Sequence, residues 1–166
     1  MSCAPKKYGG REATVEFVIS CGDVMPAEDD WMLIGAVRSI SQTFTWDTVD
    51  ATADDVKDAI RENLATWLNY EISADGVNRR SDDETSNQGA LRKHFINPVE
   101  TGGQPIIMVR VTDPAVTTIA TMLMSEMSLD YPNDDVATWS LSASVTGSTI
   151  GLQVTDTPVV PDPTGG

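Results

Sequence analysis

The sequence predicts a mostly β domain (α+β), a sandwich or barrel with one or two short flanking helices and long loops. Three observations support this fold class. Apolar and polar residues alternate with a period of two over much of the chain, as in half-buried strands. Turn residues separate these stretches, and only two segments show helical spacing. The 166 residues are enough for one domain with a single core.

Six stretches carry the strand pattern. The predicted strands are residues 12–20, 32–46, 66–75, 106–111, 119–130 and 136–146. In the clearest case, residues 136–146, Trp139 and Leu141 face one way and Ser140 the other. Residues 106–111 are almost continuously apolar, which predicts a strand buried on both faces. Many strands with turns between them favour a sandwich or barrel.

Two of these strands have sharply divided faces. In residues 32–46 the apolar face comprises Ile34, Ala36, Ile40, Phe44 and Trp46. In residues 66–75 the apolar set is Leu68, Tyr70, Ile72 and Ala74, and the polar set is Asn69, Glu71, Ser73 and Asp75. Such strands have one side for a core and one for water. Serine- and threonine-rich outer faces also suit strands that continue into the sheet of a neighbouring copy.

Two segments are predicted to be helical. Residues 52–64 have Val56, Ile60 and Leu64 at four-residue spacing, with Thr52 as a plausible cap. Residues 87–95 form a shorter predicted helix that ends before Pro98. Long loops are expected at residues 74–85 and 98–105.

The chain divides into a β domain, residues 1–154, and a short tail, residues 155–166. Residues 1–11 are predicted to form an N-terminal arm of the domain. The tail contains three prolines and ends in Gly165 and Gly166, so we expect it to be extended and mobile unless a partner orders it.

The composition excludes several classes of protein. The formal net charge is −14, which disfavours binding to nucleic acid or to anionic membranes. No apolar run is long enough to span a bilayer, and the first residues lack the pattern of a signal peptide. We therefore expect folding in the cytoplasm of the producing cell. Cys3 and Cys21 are predicted to be free thiols, and with His94 as the only histidine a structural zinc site is effectively excluded.

No catalytic, metal or cofactor site is predicted. The acidic cluster of Glu28, Asp29 and Asp30 lacks the layout of a calcium loop, so it is interpreted as a solvated turn. His94 has no serine or cysteine partner motif and is interpreted as a packing or surface residue. Met122 and Met124 are interpreted as core-filling residues. On a regular strand they point the same way as Glu126, so that face is also a candidate contact with another subunit.

One series of motifs resembles the tail tube (major tail) proteins of long-tailed bacteriophages, the siphophages. It begins at Ile34-Gly35-Ala36, passes through Asp50-Ala51-Thr52, and reaches Ile72-Ser73-Ala74-Asp75-Gly76. The stretches 125–132 and 139–148 are similar to the closing hairpin of that family. Together these motifs cover about residues 30 to 150 in the family's order. The family has loop or strand after Asp50-Ala51-Thr52, where helical propensity here predicts a helix.

The resemblance implies a structural subunit that assembles into stacked hexameric rings around a channel for DNA ejection. It implies location in the virion tail after assembly in the host cytoplasm. The implied partners are other copies of the chain and the tape measure, tail tip and tail terminator proteins. The candidate channel-lining residues are Asn69, Glu71, Ser73 and Asp75 on one predicted face, and Glu126, Ser128 and Asp130 on another. The candidate contacts between rings are Asn78, Arg79, Arg80, Asp82, Asp83 and Glu84.

Two points stay open at this stage. Either of the two polar faces can line the channel, with the other on an outer wall. The main alternative function is an acidic β-sandwich module, monomeric or trimeric, that binds or decorates a virion or cell surface. An enzyme is the third and most distant alternative, because neither a nucleophile–base pair nor a pair of catalytic carboxylates is evident.

Overall fold

The computed structural model describes residues 13–35, 37–54, 60–78 and 87–157. These residues form eight strands, one α-helix and two short 3-10 turns. The strands are β1 Thr14–Val18, β2 Met32–Leu33, β3 Val37–Asp50, β4 Asn63–Val77, β5 Ile106–Thr112, β6 Val116–Asp130, β7 Thr138–Val145 and β8 Leu152–Asp156. The helix is α1 Gln88–Ile96, and the 3-10 turns are Glu28–Asp30 and Val99–Thr101. The predicted mostly β fold class is confirmed.

All strands belong to one antiparallel sheet with the order β2-β1-β5-β6-β7-β4-β3. β6 is the central strand, and its two halves have different neighbours. Its first half lies between β5 and β8. Its second half pairs with β7, which pairs with β4 and then β3. The second half of β6 therefore belongs to a four-stranded unit with β7, β4 and β3.

The core forms because this sheet curls on itself. Phe17 of β1 and Tyr70 of β4 belong to the same buried cluster, although three strands lie between β1 and β4 in the sheet order. Leu91 of α1 also belongs to it, at 1% exposure. In β5 the consecutive residues Ile107, Met108 and Val109 are all buried, as the sequence predicts for a strand covered on both faces.

Several predicted elements are confirmed with small shifts in their ends. The predicted helix 87–95 is α1, Gln88–Ile96. In β4 the alternation of buried Tyr70, Ile72 and Ala74 with exposed neighbours follows the predicted pattern. β8 continues to Asp156, two residues beyond the predicted end of the domain. Residues 158–166 and the predicted arm, residues 1–11, lie outside the described residues.

The predicted helix over residues 52–64 is wrong where it can be checked. Thr52 and Ala53 are not helical, residues 60–62 are irregular, and β4 begins at Asn63. Residues 55–59 lie outside the described residues. The physical reason is tertiary pairing, since β4 adds hydrogen bonds to β3 over its whole length. Such pairing overrides a modest local helix preference.

The predicted strand 32–46 is interrupted. Ile34 and Gly35 separate β2 from β3, and Gly35 has a positive φ of 81°, which favours glycine and ends the strand. Ile34 is buried in the core, as predicted, and Ala36 lies outside the described residues. Phe44 and Trp46 are not in the core, since they are 50% and 56% exposed.

Candidate assembly surfaces

A continuous polar face covers the four-stranded unit of β3, β4, β7 and β6. Directly opposed residues on neighbouring antiparallel strands point to the same side of a sheet. One such row runs from Ser39 through Asp75 and Ser140 to Ser128. The adjacent row has the same construction, and its members are Ser41, Ser73, Ser142 and Glu126. We call this surface the polar face.

The polar face is acidic. It carries the carboxylates of Glu71, Asp75, Glu126 and Asp130, and all four side chains are exposed. The other residues of the paired rows are mainly serine and threonine, with no lysine or arginine among the cross-strand pairs of β4 with β7 and of the second half of β6 with β7. Over β4, β7 and the second half of β6, a surface of this kind repels polyanions and offers no lysine or arginine to a phosphate. On β3 the exposed Arg38 lies at the bulge next to Ser39.

A β-bulge at Ser125 brings the two predicted polar faces together. Met124 lies opposite Ala143, but Glu126 lies opposite Ser142, so Ser125 is an extra residue. Its hydroxyl donates to the carbonyl of Ser142 at 3.1 Å. An extra residue reverses the direction of every later side chain. The prediction that Glu126 points the same way as Met122 and Met124 is therefore wrong.

After the bulge, Met127 and Leu129 point to the core side, where they are partly buried against it. Glu126, Ser128 and Asp130 join the side of Asn69, Glu71, Ser73 and Asp75. The structure thus brings all seven candidate channel-lining residues onto one face. Whether this face lines a channel stays a prediction.

The four-stranded unit has two open edges. β3 pairs with β4 on one side, and residues 125–130 of β6 pair with β7 on one side; the described residues supply no strand to the other side of either. An open edge presents unpaired amide and carbonyl groups and is a template for pairing with another chain. β3 is long, at 14 residues, so this edge is a large one.

The outer half of the β3–β4 hairpin projects beyond the rest of the sheet. β7 pairs with β4 only at residues 71–77, so Phe44–Asp50 and Asn63–Tyr70 pair only with each other among the described residues. We call these two segments the hairpin arm. Its exposed apolar residues include Phe44, Trp46, Val49, Leu64 and Trp67, which are 50–75% exposed.

The base of the hairpin arm is well anchored. The rings of Phe44 and Tyr70 stack at 4.5 Å between centroids, and Tyr70 is 1% exposed. The Tyr70 hydroxyl donates to Gln42 Oε1 at 2.6 Å, and burial raises its pKa. A lone two-stranded hairpin is at best marginally stable in water. The exposed apolar side chains farther out are therefore a candidate contact surface.

Asp50 and Thr52 organise the outer end of the arm. The Thr52 amide donates to Asp50 Oδ1 at 2.9 Å, and the Thr52 hydroxyl also donates to this oxygen. These hydrogen bonds, first from the hydroxyl and then from the amide, lower the pKa of the Asp50 carboxyl. The Glu62 amide in turn donates to Thr52 Oγ1 at 2.9 Å. The Asp-x-Thr motif is thus a turn that joins both sides of the arm.

The acidic cluster predicted as a solvated turn contains one paired residue. Arg110 Nη1 donates to Glu28 Oε2 at 2.9 Å, which lowers the pKa of the Glu28 carboxyl. Arg110 also binds Glu16 through two hydrogen bonds, and its guanidinium lies 4.7 Å from the ring centroid of Trp31. Arg110 therefore attaches this turn to β1 and β5. The described residues hold no group of three His, Cys, Asp or Glu side chains placed to bind a metal ion.

The remaining candidate residues have ordinary structural roles or lie outside the described ranges. His94 is 5% exposed, and its Nε2 lies 2.8 Å from the carbonyl oxygen of Ile106, so it packs as predicted. Cys21 is a free, exposed thiol, and Cys3 is outside the described residues. Among the predicted contacts between rings, Asn78 is described, and its backbone N–H donates to the carbonyl oxygen of Ala137 at 2.9 Å. Residues 79–86, which include Arg79, Arg80, Asp82, Asp83 and Glu84, are not described.

Two features were not predicted from the sequence. One is the exposure of the hairpin arm, whose apolar residues fit a core pattern equally well. The other is a cavity lined by Trp139, Leu91 and Met127, which only the packing of α1 against β6 creates. No helix in the described part of the chain is both long and apolar enough to cross a membrane.

Comparisons with known proteins agree with this architecture. No family model matches the sequence, and no curated protein matches it. Among solved structures, the tail of an empty gene transfer agent particle with C6 symmetry has a TM-score of 0.65 at 18% identity, covering 90% of this chain and 99% of that one. A native gene transfer agent virion also gives 0.65, at 16% identity, with coverage of 92% and 100%. The SPP1 tail tube gives 0.61 at 13% identity, with coverage of 91% and 80%. The chain therefore has the tail-tube type of fold.

Proposed function

We propose that this protein is the structural subunit of a phage-type tail tube. In this proposal six copies close into a ring, and rings stack into a tube. The polar face lines the channel, and the genome passes through it during ejection. The observation that carries the proposal is the four-stranded unit, which has an acidic polar face and two open edges.

The directions of the four strands favour ring closure. β6, β7, β4 and β3 are successively antiparallel, so β3 and β6 run in opposite directions. Rotation about a ring axis preserves the direction of each strand along that axis. β3 of one copy would therefore meet β6 of the next copy as an antiparallel pair, and all polar faces would point the same way. A pairing between two different edges that closes by rotation forms a ring.

The size of the resulting barrel fits a channel. Six copies would contribute 24 strands. With strands about 4.8 Å apart and tilted by about 40°, the barrel would be roughly 48 Å across between backbones. Barrels with fewer strands than this already enclose an aqueous channel. The C6 symmetry of the gene transfer agent tail supports the choice of six.

The acidic polar face suits passage of DNA. A carboxylate and a phosphate at about 4 Å repel by about 1 kcal/mol in a water-like dielectric, and salt screens this repulsion. A channel wall in which carboxylates outnumber cations offers DNA few sites at which to bind. The proposed role is structural, with no catalysis and no cofactor. The tape measure, tail tip and tail terminator proteins are proposed as further partners in the virion, after assembly in the host cytoplasm.

Electron microscopy of the purified protein and of virions tests assembly. We expect rings or tubes of uniform diameter with a central channel. The protein could instead occur on virions as isolated surface knobs, as a decoration module would, and that finding would refute the proposal.

Charge reversal tests the assignment of the channel wall. Glu71→Lys with Glu126→Lys should leave folding and tube formation largely unchanged, because exposed charges contribute little to stability. DNA ejection should slow, and more so at low salt, because the new cations bind phosphates. Glu100→Lys is the matched control, since Glu100 is exposed on a 3-10 turn away from the polar face. Normal ejection by the double variant at low salt would show that the polar face is not the wall.

A further inference from the structure

The two open edges of the four-stranded unit differ in length. No described strand pairs with the far side of β3, which has 14 residues, whereas β6 is open only over residues 125–130. A short edge can pair with a long one in several registers, and each register brings different residues together. The inference below concerns this register and rests on the proposed function, since a closed ring is what brings the two edges together.

The direction of the side chains limits the register. A slip of one residue moves every side chain of a strand to the opposite face. Ser39 and Ser128 lie in the same row of the polar face. A polar face that continues from copy to copy therefore requires Ser128 to oppose a residue of β3 that points to the polar side. The candidates on β3 are Ser39, Ser41, Thr43 and Thr45.

The tilt of the strands limits the register further. A barrel closes only with a fixed stagger along its strands, and each copy contributes the same stagger. The tangent of the tilt is the length of this stagger divided by the width of four strands. Staggers of two, four and six residues per copy give tilts of about 19°, 35° and 46°, with about 3.3 Å per residue and about 4.8 Å between strands. Barrel strands tilt by about 35–45°, so the stagger is four or six residues.

The direction of the stagger follows from where β3 begins. Counted from Ser39 along the row, a stagger of four residues in one direction places Thr43 opposite Ser128, and a stagger of six places Thr45 there. A stagger of four in the other direction would place Gly35 opposite Ser128, but Gly35 precedes the first residue of β3. Only the first direction uses a strand edge that exists.

Charge decides between four and six residues. With six, Glu126 would lie directly opposite Asp47 of the next copy. Asp47 is exposed and lies beside Asn69 of the polar face, whose side-chain amide donates to its carboxylate at 3.4 Å. Like charges directly opposed on neighbouring strands are destabilising. With four, Glu126 lies opposite Thr45, whose hydroxyl can donate to the carboxylate.

We propose that β3 of one copy pairs with β6 of the next in a single register, with Thr43 directly opposite Ser128. Each carboxylate at this edge of β6 then faces a hydroxyl of the neighbouring copy. The opposed pairs on the polar face are Ser41 with Asp130, Thr43 with Ser128 and Thr45 with Glu126.

The same register gives the exposed aromatic residues of the hairpin arm an apolar partner. Phe44, which is 50% exposed, pairs with buried Tyr70 and so lies on the core side of β3. In the proposed register Phe44 lies directly opposite Met127, which is only partly buried in its own subunit. Trp46 lies diagonal to Met127, within reach of a large ring. This apolar match is independent of the charges that select the register.

Disulfide formation distinguishes neighbouring registers. Directly opposed residues of an antiparallel pair have Cα atoms about 4.5–5.5 Å apart, which a disulfide spans. A shift of two residues separates these atoms to about 8 Å, beyond the limit of about 7 Å. Within one copy β7 and β4 lie between β6 and β3, a separation of about 14 Å. Any disulfide between β3 and β6 therefore joins two copies.

Three variants are compared, each in a protein that also carries Cys3→Ser and Cys21→Ser. All contain Ser128→Cys, and each has one cysteine on β3. The three substitutions on β3 are Ser41→Cys, Thr43→Cys and Thr45→Cys, all at exposed positions. Each variant is assembled under reducing conditions, examined by electron microscopy, and then oxidised mildly. Denaturing electrophoresis without reductant counts the linked chains.

Only the variant with Thr43→Cys should give a ladder of up to six linked chains. The other two variants are matched controls and should remain mainly single chains. If tubes form and the Ser41→Cys or Thr45→Cys variant links instead, the register is wrong and the tail-tube proposal stands. The same conclusion follows if tubes form and no variant links. If the Thr43→Cys variant links chains but no rings or tubes form, the pairing is real and the tail-tube proposal fails.

Discussion

Replacing Trp46 with threonine separates the stability of the subunit from that of the assembly. Trp46 lies on the hairpin arm and is 56% exposed. Threonine has a high strand propensity, so the backbone should keep its conformation. The variant tests whether a neighbouring copy covers the exposed apolar residues of the arm.

The magnitude follows from the exposed area. A tryptophan side chain presents up to about 250 Å², so roughly 140 Å² remains accessible in the subunit. If a neighbouring copy covers half of this accessible area, the variant loses about 1.8 kcal/mol of association free energy per copy, at about 25 cal/mol per Å². The protein concentration needed for assembly should then rise about twentyfold. The free energy of unfolding of the isolated subunit should fall by about 1–2 kcal/mol, since less than half of the Trp46 side chain is buried within the subunit.

Two measurements give these quantities. Urea unfolding of the dilute subunit reports the free energy of unfolding, and sedimentation at increasing concentration reports the assembly threshold. Val24→Thr is the matched control, because Val24 is 75% exposed in a loop outside the arm, and it should change neither quantity appreciably. If Trp46→Thr lowers stability as expected but leaves the threshold unchanged, the arm does not contact a neighbour and the reasoning is refuted.

Three further predictions concern local structure. Gly22→Ala should lower the free energy of urea unfolding by about 2 kcal/mol or more, since its φ is +77° and the new Cβ would collide with side-chain atoms. Gly89→Ala is the control, because its new Cβ would lie in open space, and it should stabilise the helix by about 0.5–1 kcal/mol in that assay. Arg110→Gln should cost about 2 kcal/mol by urea unfolding, because a partly buried carboxylate loses its charged partner, and a cost near zero would contradict this. Thr52→Val should raise the pKa of Asp50 toward its ordinary value, measured by NMR titration. Because the folded pKa is lowered, the contribution of Asp50 to stability is present above the unfolded pKa and lost as pH falls through the folded pKa. An unchanged pKa of Asp50 in the variant would show that the hydrogen bond from the Thr52 hydroxyl is not the cause.

The alternation of residues determined much of the fold before any tertiary contact was considered. A period of two assigns each side chain to one face of a strand, so β4, β5 and β7 and the acidic polar residues of β4 were predictable from local order alone. The short helix α1 was predictable in the same way. Residues 52–64 show the limit of local propensity, since the end of this segment pairs as a strand with β3.

The tertiary structure decided which surfaces exist. The bulge at Ser125 is a matter of register between β6 and β7. A single strand's sequence does not contain that information, because an extra residue is visible only against its partner. This one residue joins Glu126, Ser128 and Asp130 to the polar face.

Exposure and cavities depend equally on what lies nearby. Phe44 and Trp46 have the pattern of core residues, yet no described strand or helix of the subunit extends far enough to cover them fully. The indole N–H of Trp139 is buried without a hydrogen-bond partner in the described part of the chain, which only the packing around it determines. Periodicity tells which way a side chain points, whereas only the assembled sheet determines what it meets there.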